Sequence, residues 1–539
     1  MLNELRVRMS LQAKIASVAV LLGVVLTAWL LAAPPGGSPD DGYHLGSIWC
    51  GAGHKDDLCL EAVGPVDSAI ALVPLALNDI TCFAYDGGLS ARCQTERFAV
   101  AQGQSTRFSP EFTNINRKRP NLYYRVMHEF IDLERGPLHS VGRMRAVNVI
   151  LTVAMVSLTA LVAPGRIRRA FLLSWIVAAL PLGLFFATTL STSAWTIAGL
   201  STVWANLLTV KEHPRGGNRI LGGALAAIGI IMALGARTEA VAHLAIVGVS
   251  LGAMWWLDYQ DRRPPRASRS LFRRAAETAG LGASGIAFLA LLNAVAPQSA
   301  NLDGAVGGFR AGYERLEARG VGDPFLAILF EVPTLWSGAF GNVWGLGVLD
   351  TPIPNLASLP IIAVFVTLLV VGVQHGSRGR ILAVTLVIVA FLAMPTLSLL
   401  RAGLLVYESL QPRQFMAMVY PLLGLALYRA SAEPRLVIGR AMAAAITVTL
   451  SVAHSISLLV TIQRHTNGLL PGFDGLPRHV QFGREAEWWW AAMPHPDLVW
   501  AIGSIAYLLL VTALVQQFRD VEHHAVSRIP ASRKPSRDD

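Results

Sequence analysis

Apolar residues in this chain are gathered into long runs that are separated by polar segments. Each run approaches the length that a helix needs to cross about 30 Å of hydrocarbon. Helices are expected there because backbone polar groups in lipid must be satisfied within the segment. The pattern predicts about 12 transmembrane helices, namely Ile15–Ala33, Val147–Ala163, Ala170–Thr189, Ala194–Val210, Ile220–Gly235, Ala240–Leu257, Thr278–Val295, Leu356–Val373, Ile381–Leu400, Phe415–Tyr428, Ala441–Ile462 and Leu498–Val515. We therefore predict an all-α polytopic membrane protein.

Composition excludes a soluble enzyme. Of the 539 residues, 53% are hydrophobic and 15% are charged, whereas soluble domains carry about a quarter of charged residues. The formal net charge of +10 would be compatible with a nucleic-acid partner. Here the Lys and Arg residues fall mainly in short segments between the apolar runs, so membrane topology explains them and no nucleic-acid partner is expected.

The distribution of Lys and Arg predicts the orientation. If the N-terminus is inside, the even-numbered loops face the cytoplasm and each contains Lys or Arg residues, whereas the short outer loops contain almost none, as the positive-inside rule requires. We expect a multi-pass protein of the plasma membrane with both termini cytoplasmic. The first run follows Arg6, Arg8 and Lys14 and resembles a signal peptide, but its length and the Pro34-Pro35 sequence after it favour an uncleaved helix.

These spans divide the chain into six predicted regions. They are a cytoplasmic N-terminus with the first helix (1–33), an extracytoplasmic loop (34–146), helices two to seven (147–295), a second extracytoplasmic loop (296–355), helices eight to twelve with an outer loop at 463–496 (356–517), and a cytoplasmic tail expected to be disordered (518–539).

All four cysteines fall in the first extracytoplasmic loop. An even number of cysteines outside the cytoplasm favours two disulfides. A zinc site is the alternative, although the spacing fits no CxxC pattern. Sequence alone leaves the pairing open, and we favour sequential pairing, Cys50 with Cys59 and Cys82 with Cys93.

Polar residues capable of chemistry collect on the predicted outer side. Asp40 and Asp41 follow the first helix directly, and a carboxylate at that surface could act as a general base or bind a divalent cation such as Mg or Mn. The alternative is a solvated cap at the helix end. We therefore leave the metal requirement unknown and name no certain cofactor.

Basic residues lie between later spans on the same side. Arg237 and Glu239 share a short turn, where they either form a pocket or simply anchor the turn. Arg413 follows Gln411 at the start of a late helix. A guanidinium suits a phosphate group, whereas an interfacial anchor would be unusual for arginine on the outer side.

Three further residues are weaker candidates. Tyr123 and Tyr124 could stack on a sugar or only pack at the interface, and Asp350 could contact a ligand or cap a helix. With acidic groups near the first helix and an arginine near a late one, the arrangement would suit an enzyme that takes a lipid-phosphate donor from the outer leaflet.

Four short motifs carry a family resemblance. Pro39-Asp40-Asp41 with His44 is similar to the Pro-Asp-Glu-x-x-His signature of a bacterial predicted-membrane-protein family, domain-of-unknown-function family 2142. Segments that look like its later motifs are Ser193-Ala194-Trp195 with Gly199, Leu349-Asp350-Thr351-Pro352-Ile353-Pro354 and Gln411-Pro412-Arg413-Gln414-Phe415. Their order spans most of the chain.

This family looks like the GT-C glycosyltransferases, which use polyprenyl-phosphate sugars on the extracytoplasmic face. The resemblance implies that Asp40 or Asp41 is catalytic and that Asn121-Leu122-Tyr123-Tyr124 corresponds to a familiar segment of that class. Two positions depart from the family pattern: Asp41 stands where Glu is usual, and the late motif has Pro412 and Gln414 rather than the common Gln-Gly-Arg-Tyr.

The resemblance implies transfer of a sugar from a polyprenyl-phosphate donor to an envelope polysaccharide. The Ala/Arg/Gly-rich composition is typical of actinobacteria, for which arabinofuranose or mannose is plausible. Asp40 or Asp41 would be the base, with His44, Tyr123, Tyr124, Arg237, Glu239, Asp350, Gln411 and Arg413 binding substrate. A transporter or flippase, and a non-catalytic envelope scaffold, are the alternatives; both would be favoured if Asp40, Arg237 and Arg413 lay far apart.

Overall fold

The computed structural model describes most of the chain. The described residues are 2–52, 59–62, 70–74, 77, 80–84, 86–94, 105–108, 121–132, 134–213, 215–261, 302–374, 376–430, 433–434, 436–468, 488–490 and 493–518. The predicted span Thr278–Val295 and the predicted tail beyond Phe518 therefore lie outside the described residues.

Helices make up the body of the molecule. In chain order they are α1 (Leu2–Ala32), α2 (Asp41–Trp49), α3 (Leu122–His128), α4 (Pro137–Val162), α5 (Gly165–Ala178), α6 (Leu182–Ala187), α7 (Ser193–Glu212), α8 (Gly217–Ala236), α9 (Ala240–Asp261), α10 (Leu302–Ala318), α11 (Pro324–Ala339), α12 (Asn355–Val373), α13 (Arg378–Ala402), α14 (Val406–Ser409), α15 (Pro412–Phe415), α16 (Val419–Leu427), α17 (Arg440–Asn467) and α18 (Pro496–Gln516). A 3₁₀ turn, Met416–Met418, joins α15 to α16.

Eight of the described helices are long and apolar enough to cross a membrane. They are α1 from Leu11 onward, α4, α8, α9, α12, α13, α17 and α18. Each coincides with a predicted span, so a multi-pass helical membrane protein is confirmed. The predicted total of about 12 spans stays a prediction.

Two predicted spans are interrupted. The run Ala170–Thr189 is divided into α5 and α6, and the Leu180–Pro181 peptide between them is cis. Proline lacks the N–H that a continuous helix needs. The run Phe415–Tyr428 is divided into a 3₁₀ turn and α16. These short pieces are still almost wholly buried in the bundle.

The predicted loop 296–355 contains helical structure that the apolar pattern did not indicate. It holds α10 and the apolar α11. Asp323 caps α11, because its side chain accepts a hydrogen bond of 3.0 Å from the Leu326 N–H, and Pro324 occupies the first helical position. This is a common helix start, but Glu331 and Pro333 lie within α11 and interrupt its apolar run.

The first loop carries two disulfides and a small sheet. Cys50 pairs with Cys59 and Cys82 with Cys93, so the favoured sequential pairing is confirmed. Three short strands, β1 (Leu60–Ala62), β2 (Ile70–Pro74) and β3 (Ser105–Phe108), form an antiparallel sheet in the order β1-β2-β3. Leu72 pairs with Leu60 on one side and with Arg107 on the other.

Close helix packing explains one of the motif glycines. Helix α7 lies against α8, and a Cβ added at Gly199 would be 2.3 Å from the carbonyl oxygen of Gly229. Small residues allow backbones to approach in this way within membrane bundles. The contact fixes the start of α7 beside the end of α8, where Arg237 follows.

The bundle has two polar ends. At the first, which we call the site end, α1 and α8 finish, α4 and α7 begin, and the first loop folds over them. This is shown by Arg145 of α4, whose guanidinium donates to the carbonyls of Ala33 at 2.8 Å and Thr188 at 2.7 Å. At the opposite end, Tyr428 donates to Glu212 at 2.7 Å. All the site residues predicted from sequence lie toward the site end.

Candidate functional site

The loop after α1 holds two neighbouring aspartates in different environments. Asp41 begins α2 and is buried, and its carboxylate accepts from the N–H of Ser38 at 3.1 Å and from the Ser38 hydroxyl. Asp40 precedes it with φ of 62°. A left-handed conformation costs about 1 kcal/mol for a residue other than glycine, and here it turns the two carboxylates to different surroundings.

Asp40 forms an ion pair with Arg413, which is 373 residues later in the chain. The same guanidinium donates from Nη1 to the carbonyl of Pro39 at 3.0 Å and lies 5.9 Å from the ring centroid of Phe186. Arg413 keeps 5% of its side chain exposed, but Asp40 keeps 53%. The pair therefore has a buried cation and an accessible carboxylate.

Their surroundings separate the pKa values of the two aspartates. Burial raises the pKa of Asp41 to about 6, against the lowering effect of the Ser38 hydrogen bonds. Burial also raises the pKa of Asp40, but the charge and hydrogen bond of Arg413 outweigh it, so the net pKa lies below the usual value. At neutral pH, Asp40 is thus ionised and open to solvent, whereas Asp41 is enclosed.

Arg237 is a second guanidinium beside this pair. It follows α8 and is half-buried, and its Nε donates to the Thr192 hydroxyl at 3.0 Å. Its charge acts on both Asp40 and Arg413. Among the described residues, its buried Nη1 has no hydrogen-bond partner, so one donor is available to a ligand. Glu239 lies nearby, where partial removal from water raises its pKa but the charge of Arg237 outweighs this effect, so the net pKa is lowered.

His44 and Tyr124 are two buried side chains that contact each other near Asp40. His44 Nδ1 lies 2.9 Å from the Tyr124 hydroxyl, and its buried Nε2 has no partner among the described residues. Burial and the nearby Arg413 lower the pKa of His44 to about 3, so the ring is neutral at pH 7. A neutral imidazole can exchange a hydrogen bond with a substrate hydroxyl.

The side chain of Tyr123 is held by contacts within the protein. Its hydroxyl donates to the carbonyl of Leu190 at 2.8 Å and accepts from Asn148 at 3.2 Å, and the side chain is fully buried. Its ring meets Trp195 edge to face at 5.4 Å. The interpretation of Tyr123 as a packing residue is thus favoured over sugar stacking.

Gln411 and Asp350 make contacts with different parts of the chain. The Gln411 N–H donates to Gln414 at 3.3 Å at the start of α15, and its buried side-chain oxygen has no partner in the described part of the chain. Asp350 instead accepts from Arg464 at 2.6 Å. The described contacts of Asp350 run to Arg464 and Thr351 rather than to Asp40, so it belongs to a different ion pair.

Sequence reasoning missed several polar residues of this end. Asn148 lies within the predicted span Val147–Ala163, whereas Arg145 and Arg464 lie just outside predicted spans, where the observed helices α4 and α17 extend further; each of the three is buried. A polar side chain inside a membrane segment is a signal for function or for internal polar contacts, and that signal could have found Asn148. In the described ranges, no group of three or more His, Cys, Asp or Glu side chains is placed to hold a metal ion.

Comparison with known proteins identifies the family. Residues 22–423 match the family described as predicted membrane protein, DUF2142. The chain belongs to this family. The matched part of this DUF2142 protein extends from α1 to α16 and includes Asp40, Arg237 and Arg413. No curated protein and no solved structure gives a match.

Proposed function

We propose that this protein is a membrane glycosyltransferase of GT-C type that transfers a sugar from a polyprenyl-phosphate donor to a cell-envelope glycan. The observation that carries the proposal is the Asp40–Arg413 pair, in which an accessible carboxylate and a buried guanidinium meet in the segment that follows the first membrane helix. Transporters and scaffolds do not need this convergence, since neither has to activate a hydroxyl and hold a leaving phosphate.

The reaction would use the two members of the pair in opposite ways. Asp40 takes the proton of the acceptor hydroxyl while the hydroxyl oxygen forms a bond to the anomeric carbon of the donor. The bond from that carbon to the phosphate oxygen breaks, and polyprenyl phosphate leaves with both electrons. A general base contributes roughly 10²–10⁴-fold to such a step, and inversion follows from attack opposite the leaving group.

Arg413 would receive the donor phosphate. A guanidinium binds phosphate through paired charge-assisted hydrogen bonds, and the Nε of Arg413 has no partner among the described residues. Phosphate arriving here competes with Asp40 for the guanidinium. Donor binding therefore releases the carboxylate from its ion pair and raises its basicity at the moment when a base is required.

Asp40 is favoured over Asp41 as the base. Asp41 is 6% exposed and both of its oxygens accept from Ser38, so an acceptor hydroxyl has no access to it. Arg237 and the neutral His44 would complete the binding site. Among the described residues, Nη1 of Arg237 and Nε2 of His44 have no hydrogen-bond partner. The first could bind the phosphate and the second a sugar hydroxyl. An arabinofuranose or mannose donor remains part of the proposal.

The test is a transfer assay on purified full-length protein. A panel of radiolabelled polyprenyl-phosphate sugars is offered with envelope glycan acceptors to the wild type, Asp40→Asn and Asp41→Asn. We expect label transfer by the wild type, loss in Asp40→Asn, and measurable transfer by Asp41→Asn per folded molecule. Equal transfer by wild type and Asp40→Asn would remove Asp40 as the base. No transfer from any donor by folded wild type would favour transport or scaffolding.

A further inference from the structure

A cleft of about 230 Å³ opens at the opposite end of the bundle, between α1, α5 and the residue that follows α18. The volume is well above the ~10–15 Å³ that a single water needs. Its cations are Lys14, Arg168 and Arg169, and its apolar lining includes Leu11, Ile15 and Leu172. The cleft thus joins a basic rim to a hydrophobic wall.

The three helices place this cleft at the boundary between hydrocarbon and headgroups. The apolar part of α1 begins at Leu11, α5 begins at Gly165, and α18 ends at Gln516. Lining residues come from these positions or from within two turns of them. Three ends at one level mark the edge of the membrane-embedded part of the bundle, where a phospholipid has its phosphate.

The charged side chains that line the cleft are positive. The described residues that line it include three cations and no carboxylate. Arg169 donates from Nε to the carbonyl of Gly165 at 3.2 Å and from Nη1 to that of Gln517 at 3.5 Å, which holds its guanidinium over the cleft. Pro164 provides no side-chain cap for α5, so the positive end of the helix dipole adds to the same field.

We propose that this cleft binds the phosphate headgroup of an anionic phospholipid. The phosphate lies among Lys14, Arg168 and Arg169, and the first acyl carbons lie against Ile15 and Leu172. Basic pockets between membrane helices on the cytoplasmic side are suited to anionic headgroups, and the excess of Lys and Arg predicts that this end faces the cytoplasm. Free phosphate could form ion pairs with the cations, but it would make no contact with the apolar side chains that line the cleft.

The experiment uses the purified full-length protein in detergent. It is mixed with equal amounts of phosphatidylglycerol and phosphatidylcholine, and the retained lipids are counted by native mass spectrometry during a titration. We expect the wild type to retain phosphatidylglycerol in preference. Since one basic residue near a membrane surface contributes about 1 kcal/mol to anionic lipid binding, the Arg168→Gln/Arg169→Gln variant should bind it about 30-fold more weakly.

Controls separate the cleft from general charge. Arg215→Gln/Arg378→Gln removes the same charge from exposed positions at the same end and should bind like wild type. Lys14→Glu tests the cleft at an exposed side chain, where misfolding is not expected. Inorganic phosphate should not displace the lipid. The proposal is overturned if both lipids are retained equally, if the cleft variants bind like wild type, if the control pair weakens binding equally, or if inorganic phosphate competes.

Discussion

Two Asp–Arg pairs at the site end have the same chemistry and opposite exposure. In the first, Asp40 keeps 53% of its side chain exposed beside the buried Arg413. In the second, Arg464 is fully enclosed, and Asp350 keeps only 14%. An ion pair with an open carboxylate can exchange its partner for a ligand, but an enclosed one can only hold its surroundings together.

The second pair also shows what full burial of a guanidinium demands. Arg464 donates to the carbonyls of Leu89 at 2.9 Å, Phe83 at 3.1 Å and Asp86 at 3.2 Å. All three carbonyls lie between Cys82 and Cys93, which the second disulfide joins. The first loop thus supplies carbonyls that fix it onto α17. Among the described residues, Arg413 donates to one carbonyl, that of Pro39, and stays able to accept a ligand.

The largest expected effect is a loss of the proposed transfer activity when the first pair is broken at Asp40. Asp40→Asn should reduce the proposed transfer by roughly 10²–10⁴-fold, the usual contribution of a general base, with a smaller loss of thermal stability than Asp350→Asn, because the half-exposed Asp40 leaves this pair open to water. Initial rates of label transfer and the melting temperature in detergent measure the two quantities. A strong loss of stability with intact transfer would instead assign Asp40 a structural role.

The same substitution in the second pair should have the reverse outcome. Asp350→Asn leaves the charge of Arg464 buried without its counter-ion, and breaking a buried pair in this way costs about 3–5 kcal/mol. Thermal unfolding of the purified protein, followed by size-exclusion chromatography, measures the loss. If Asp350→Asn unfolds at the wild-type temperature, the three carbonyls are sufficient for Arg464 and the comparison fails.

The neighbouring Asp41 gives a prediction in pH. Its pKa is raised to about 6 by burial, so between about pH 4 and 6 the folded protein binds more protons than the unfolded chain. Stability should therefore fall as pH rises through this window, by up to about 3 kcal/mol, and level off above it.

The Asp41→Asn variant is the control for this pH effect, because Asn does not titrate. Its unfolding temperature should change less between pH 4 and 7 than that of the wild type. Identical pH profiles for the two proteins would mean that another group causes the change, and Asp41 would then be charged at a lower pH than its burial indicates.

The smallest effect concerns the geometry of Arg413. Arg413→Lys keeps the positive charge but loses the planar fork that pairs with phosphate. We expect the KM for the donor to rise about tenfold, corresponding to 1.4 kcal/mol, with a smaller change in kcat. Donor titrations at saturating acceptor separate the two constants. An unchanged KM would show that Arg413 serves Asp40 and not the phosphate.

The sequence determined the membrane class, most span positions and the disulfide region, because apolar run length, basic loops and cysteine location are local properties. It also indicated Asp40, Arg237 and Arg413 as candidates. It did not predict the division of Ala170–Thr189 or the helix at Pro324–Ala339, since a break within an apolar run and a short apolar helix both give weak signals.

Tertiary structure alone decided which carboxylate is accessible and which arginine each one meets. Asp40 and Asp41 are adjacent and chemically identical, and no periodicity separates them. Their difference arises because φ of 62° at Asp40 directs one side chain toward Arg413 from a distant helix and leaves the other enclosed by Ser38. Burial and partner choice depend on contacts between segments far apart in the chain, and a linear pattern does not contain them.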